Sequence, residues 1–103
     1  MSATDIGSVD EFVNCQTAIR RVEGQNIVVV RVDDEFFALE DRCSHEEFPL
    51  SAGELDCEKR EIECERHGAM FSLSDGAAVS FPATKAVRAF AISVRDGRVE
   101  VEL

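Results

Sequence analysis

Two short cysteine–histidine pairs constrain this chain more than any other feature. Cys43-Ser44-His45 and Cys64-Glu65-Arg66-His67-Gly68 lie 18 residues apart, and both histidines of the 103-residue chain fall inside them. Each pair offers one thiolate and one imidazole, spaced so that both side chains of a loop can reach one metal centre. A fold that uses all four must bring two loops face to face.

The rest of the chain reads as all-β. Val99, Val101 and Leu103 alternate with Arg98, Glu100 and Glu102, and Phe90, Ile92 and Val94 repeat the pattern one strand earlier. Such alternation marks half-buried strands, and the Asp96-Gly97 pair between them marks a hairpin turn. Ile27 to Val32 is rich in β-branched residues, and Asp33-Asp34-Glu35 then turns it into Phe36 to Glu40, a second hairpin. Ala18 to Val22 adds an earlier strand, and Ser8 with Glu11 fits a capping box for one helical turn. Residues 41–82 differ in character: little periodicity, three of the four cysteines, both histidines, and glycines at 53, 68 and 76. This stretch reads as an insertion that builds a site. Within it residues 61–64 and 70–73 are expected as short strands, with Ser74-Asp75-Gly76 turning the second one back.

Charge narrows the partners. Twenty-one acidic against eleven basic residues give a net charge of −10, which argues against nucleic acid and anionic membranes as ligands. A partner, if there is one, should present a basic surface, and solubility alone is the alternative reading of the charge. Residues 1–11 have neither the basic nor the apolar region of a signal peptide. The longest apolar run, Ile27 to Val30, is far below the ~20 residues of a membrane span. A cytoplasmic chain is therefore expected, with cysteines as thiols or metal ligands rather than a disulfide framework. Cys15 is expected as a small buried hydrophobe and Cys57, in the run Asp56-Cys57-Glu58-Lys59, as a free exposed thiol. A disulfide between them is the alternative.

The donor set itself suits two centres. Tetrahedral zinc takes two Cys and two His, but structural zinc modules usually pair Cys with Cys and His with His. Mixed pairs suit a [2Fe–2S] cluster in which each loop gives its Cys to one iron and its His to the other. On these residues the chain resembles the Rieske family, whose motif is C-x-H followed by C-x-x-H, usually with Gly after the second His. Leu50-Ser51-Ala52-Gly53-Glu54-Leu55 is similar to the family's L-S-x-G-x-L segment between the loops. Phe71 to Gly76 is similar to its F-x-x-x-x-G run, and Phe81-Pro82-Ala83 stands where a proline loop shields the cluster.

The resemblance implies a single Rieske domain over residues 1–103: an antiparallel β-sandwich with a cluster-binding subdomain at about 41–82. It implies one Rieske-type [2Fe–2S] cluster held by Cys43, His45, Cys64 and His67, with no catalytic residues. Because the imidazoles are neutral, two Fe³⁺, two sulfides and two thiolates sum to zero charge, so one electron is added more easily than to an all-cysteine cluster. The implied role is the separate ferredoxin of a ring-hydroxylating dioxygenase system. It would pass single electrons from an NAD(P)H-dependent flavoprotein reductase to a terminal oxygenase. Small Rieske proteins associated with iron–sulfur assembly, and a structural zinc-binding module, are the alternatives.

The chain departs from relatives at several points. Glu46-Glu47 and Glu65-Arg66 stand where small, proline or aromatic residues are frequent, which alters the docking surface more than the ligand set. Where high-potential respiratory relatives carry a Ser and a Tyr that donate to the cluster sulfurs, this chain has Ala69 and Phe71. Where they carry two extra cysteines that tie the loops, it has Phe48 and Arg66. A midpoint near the low end of the Rieske range of about −150 to +300 mV is expected.

Overall fold

Ile27, Val28, Val29 and Val30 are each at most 1 % exposed. Successive strand residues point to opposite faces, so four in a row can be buried only if both faces are covered. The computed structural model, which describes residues 3–42, 49–64, 68–79 and 85–103, shows what covers them. Among the described residues the strands are β1 (Ala3–Ser8), β2 (Gln16–Val22), β3 (Gln25–Val32), β4 (Glu35–Glu40), β5 (Leu55–Asp56), β6 (Glu61–Glu63), β7 (Met70–Ser72), β8 (Ala89–Arg95) and β9 (Arg98–Glu102). Two 3-10 turns, Val9–Glu11 and Leu50–Ala52, complete the regular structure.

Six strands form one antiparallel sheet in the order β1-β9-β8-β4-β3-β2, and three form a small antiparallel sheet, β5-β6-β7. The large sheet is joined at its middle by the short pairing of Ala38 with Phe90 and Leu39 with Ala89. Its halves fold over one another, so that Ile27, Val29 and Ala38 meet Ile6, Phe12, Val99 and Val101 in one core. The curl brings the two edge strands together, and the Arg20 Nε on β2 donates to the Ile6 carbonyl on β1 (2.9 Å). The opposite face of β3, carrying Val28, Val30 and Val32, packs with Leu39 against Leu50, Ile62, Phe71, Leu73 and Val87 in a second core. β3 is the wall shared by both.

The expected hairpins are present. β8 and β9 turn at Asp96-Gly97, both at positive φ (53° and 74°), and β3 and β4 turn at Asp33-Asp34. Val99 and Val101 are buried as the alternation requires, whereas Val94 is 46 % exposed because it lies beyond the part of the sheet that the sandwich covers. The capping box yields only a three-residue 3-10 turn, with the Ser8 N–H donating to Glu11 Oε2 (2.9 Å). β1 and β5 were not expected. β1 buries only its two residues Ile6 and Gly7, and β5 is two residues long, so neither leaves a periodic signature.

Candidate metal centre

The small sheet places Cys64. Ile62 in β6 is fully buried and anchors that strand in the second core, and the next residue but one, Cys64, emerges at its end with no exposed surface. Cys64 is a thiol outside any disulfide. The chain then closes a tight loop on itself: the Cys64 N–H donates to the Ala69 carbonyl (2.7 Å), and the Gly68 N–H to the Cys64 carbonyl (2.8 Å). Gly68 has φ +72°, a conformation in which a side chain is unfavourable, so glycine after His67 is what lets this loop turn back into β7.

Gly53 secures the other side. The Glu63 N–H donates to the Glu54 carbonyl (2.8 Å), bringing the 50–54 turn flat against the residue before Cys64. A Cβ on Gly53 would overlap the Glu63 carbonyl oxygen. The turn is tied in turn to the large sheet. Asp41 accepts from both the N–H and the hydroxyl of Ser51 (2.7 and 2.8 Å), and the Thr17 hydroxyl donates to the Ser51 carbonyl (3.2 Å). Asp41 stands two residues before Cys43, so one carboxylate links the approach to the first Cys–His pair with the turn that supports the second. Cys43, His45 and His67 lie outside the described residues, as do Phe48, Arg66 and the segment Phe81-Pro82-Ala83. Ala69 and Phe71, the positions expected to lack hydroxyl donors, are both fully buried beside Cys64.

Two expectations are corrected. Cys15 is exposed, not buried, and Cys57 is not a free thiol: the two form a disulfide with Cα atoms 6.0 Å apart. Separation by 42 residues hid the pair. They meet because Cys15 precedes β2, at the edge of the large sheet, and Cys57 follows β5, at the edge of the small one. The role of Gly53 as a close-approach point was equally silent, since the motif shows a glycine but not what it touches.

A buried thiol at the tip of a hairpin, followed by a glycine-closed loop, is a setting for a soft metal centre. Residues 2–91 match the Rieske [2Fe-2S] domain. The chain belongs to the Rieske [2Fe-2S] family. It is 37 % identical over 100 residues to the anthranilate 1,2-dioxygenase ferredoxin subunit of Burkholderia cepacia, covering 95 % of this chain and 89 % of that protein. The ferredoxin of carbazole 1,9a-dioxygenase from Nocardioides aromaticivorans IC177 superposes with a TM-score of 0.95 at 29 % identity, covering 98 % and 97 % of the two chains. The ferredoxin in a complex with the oxygenase of carbazole 1,9a-dioxygenase superposes with a TM-score of 0.87 at 32 % identity, over 96 % and 91 %. This Rieske protein therefore carries a Rieske-type [2Fe–2S] cluster and serves as an electron carrier, not a catalyst.

Proposed function

We propose that this Rieske protein is the ferredoxin of a ring-hydroxylating dioxygenase system, taking electrons one at a time from an NAD(P)H-dependent flavoprotein reductase and delivering them to the terminal oxygenase. The carrying observation is the likeness to a dioxygenase ferredoxin subunit across 89 % of that protein's length. When bound, the cluster accepts and releases a single electron. The ligands would be Cys43 and Cys64 on one iron and His45 and His67 on the other, within a cluster-binding subdomain at about 41–82. The burial of Cys64 at the end of β6 supports this reading. The surrounding residues exclude water on the protein side, since Leu50, Ile62, Ala69 and Phe71 are all fully buried there. An electron supply from nicotinamide would suit a cytoplasmic location, which is part of this proposal. None of its helices is long and apolar enough to cross a membrane among the described residues.

The acidic surface supports docking to a basic partner. Glu54, Asp56, Glu58 and Glu63, with Leu55, Cys57 and Met70, line a groove of about 400 Å³ at the small sheet. With a net charge of −10, association should be steered electrostatically and weaken steeply with salt. The test is reconstitution with a flavoprotein reductase and a terminal oxygenase, together with EPR of the dithionite-reduced protein. A Rieske signal, with lower average g than an all-cysteine cluster, and electron delivery that slows as salt rises are expected. Full iron content and an unchanged spectrum in His67→Ala would remove that residue from the ligand set.

A further inference from the structure

We propose that the Cys15–Cys57 disulfide is a reversible redox latch, which holds the β5–β6 turn against the large sheet when closed and loosens the strand leading to Cys64 when open. Four observations carry this. The bond is accessible: Cys15 is exposed and lines an open cleft of about 380 Å³ with Gln16, Thr17, Gly53, Glu54 and Leu55. Exposed disulfides are the labile class, because an attacking thiolate can reach a sulfur.

Neither hydrophobic core is built around the bond, so the large sheet does not depend on it. Cys57 is only packed at the margin of the second, and Cys15 belongs to neither. Both ends are independently held, so the opened thiols stay close enough to pair again. The Cys15 N–H donates to the Arg31 carbonyl (2.7 Å), and the neighbouring Asn14 side chain accepts from the Asp33 N–H (2.7 Å). Arg60 donates to the Cys57 carbonyl (3.2 Å) and pairs with Glu35 of the large sheet at 2.7 Å. Fixing two thiols near one another raises their effective concentration and favours reclosure.

Finally, the latch lies on the path to the metal centre. Cys57 starts the turn that becomes β6, and β6 ends at Cys64. With the bond broken, the turn keeps the packing of Leu55 and Ile62 in the second core and the Arg60–Glu35 pair, whose side chains are 40 % and 55 % exposed and whose own hold is weak. It therefore loosens without leaving the large sheet.

The reaction is thiol–disulfide exchange with a dithiol reductant of the thioredoxin class. One reductant thiolate attacks a sulfur of the bridge, giving a mixed disulfide and releasing the other cysteine. The second reductant thiol resolves it, leaving Cys15 and Cys57 as thiols and the reductant as a disulfide, with two electrons and two protons transferred. The effect on Cys64 as a ligand rests on the functional reading above, whereas the latch itself does not.

The test uses the cluster-loaded protein equilibrated anaerobically in dithiothreitol redox buffers. Thiols are trapped with N-ethylmaleimide and counted by mass, and backbone amide exchange is followed in parallel. Two new labels, on Cys15 and Cys57, should appear on reduction and be absent after reoxidation. Exchange at Ile62 and Glu63 should quicken by about tenfold while β3 is unchanged. Cys15→Ser should show the fast exchange without any reductant. Loss of β3 protection on reduction would make the bond a structural staple and overturn the proposal. So would unchanged exchange at Ile62 in both the reduced protein and Cys15→Ser, or thiols that never re-pair.

Discussion

The two faces of β3 serve different parts of the molecule, and they are stabilised differently. The face bearing Ile27 and Val29 closes a core between the halves of the large sheet, made by strands of five to eight residues in long antiparallel registers. The face bearing Val28 and Val30 supports a sheet of two- and three-residue strands. Strands that short are not independently stable. The small sheet is held in shape by point contacts instead: Gly53 against Glu63, Ser51 on Asp41, and one disulfide. The large sheet thus tolerates gradual loss of packing, while the sheet that positions Cys64 depends on a few contacts that are made or not made.

The largest break of that contrast should come from Gly53→Ala. A methyl group cannot share space with the Glu63 carbonyl oxygen, and the atom in the way is backbone, so β6 and Cys64 must move. A cost above ~3 kcal/mol is expected, confined to the small sheet. Visible absorbance and iron content should fall sharply, with amide protection in β9 retained. Equal loss of protection throughout would mean that the two regions are one cooperative unit.

A finer cut compares neighbours on β3. Val28→Ala and Val29→Ala remove the same atoms from positions with 0 % exposure, and each should cost about 2–3 kcal/mol. They should be expressed differently. Val28→Ala opens a gap under Leu50 and Ile62 and should speed iron loss to a chelator, whereas Val29→Ala should lower the melting temperature with little change in that rate below the transition. Identical iron-loss rates in the two variants would erase the distinction between the faces.

How much of this the sequence disclosed follows from the same contrast. β3, β4, β8 and β9 were legible because burial of one or both faces writes itself into alternation or an apolar run. The four candidate ligands could be named because metal donors are rare residue types in close pairs, and of them only Cys64 lies within the described residues. What stayed hidden is contact between segments distant in sequence. Nothing at Cys15 or Cys57 announces the other, and a charged run around Cys57 suggested solvent rather than a bond. β1 was hidden because its pairing with β9 is irregular between Asp5 and Gly7, so no clean period survives.

A third test concerns what the small sheet withholds from the metal centre. Ala69 and Phe71 offer no side-chain donor, and both are fully buried. Ala69→Ser with Phe71→Tyr adds two hydroxyls, and donors to cluster sulfurs favour the reduced, more negative state. The midpoint should rise by ~100 mV, which is ~2.3 kcal/mol for one electron. Voltammetry on the double variant decides it: a wild-type midpoint well above zero at pH 7, or no upward shift, would show that missing donors do not set the potential.

The smallest effect should come from the far edge of the large sheet, which sharpens the comparison by being remote from Cys64. Arg98 grips Asp5 with two hydrogen bonds, Nε to Oδ2 and Nη2 to Oδ1, both 2.9 Å, and the Gly7 N–H adds a third to Oδ1 (2.9 Å). The Arg98 hydrogen bond first, and the Gly7 one after it, hold the Asp5 carboxyl below its ordinary pKa, while Asp5 raises that of Arg98. A carboxyl with a lowered folded pKa stabilises the fold fully above its unfolded value and loses that contribution as pH falls through the folded one. Both partners are solvent-exposed, so the contribution is small and screened by salt. Asp5→Asn should therefore melt slightly below wild type at pH 7 in low salt. The difference should shrink in 1 M salt and disappear below the folded pKa, where wild-type Asp5 is protonated as well. Cluster absorbance should be the same in both proteins throughout. A gap that persists at low pH would mean that the amide disturbs β1 sterically, and a change in iron retention would mean that this edge is coupled to the small sheet after all.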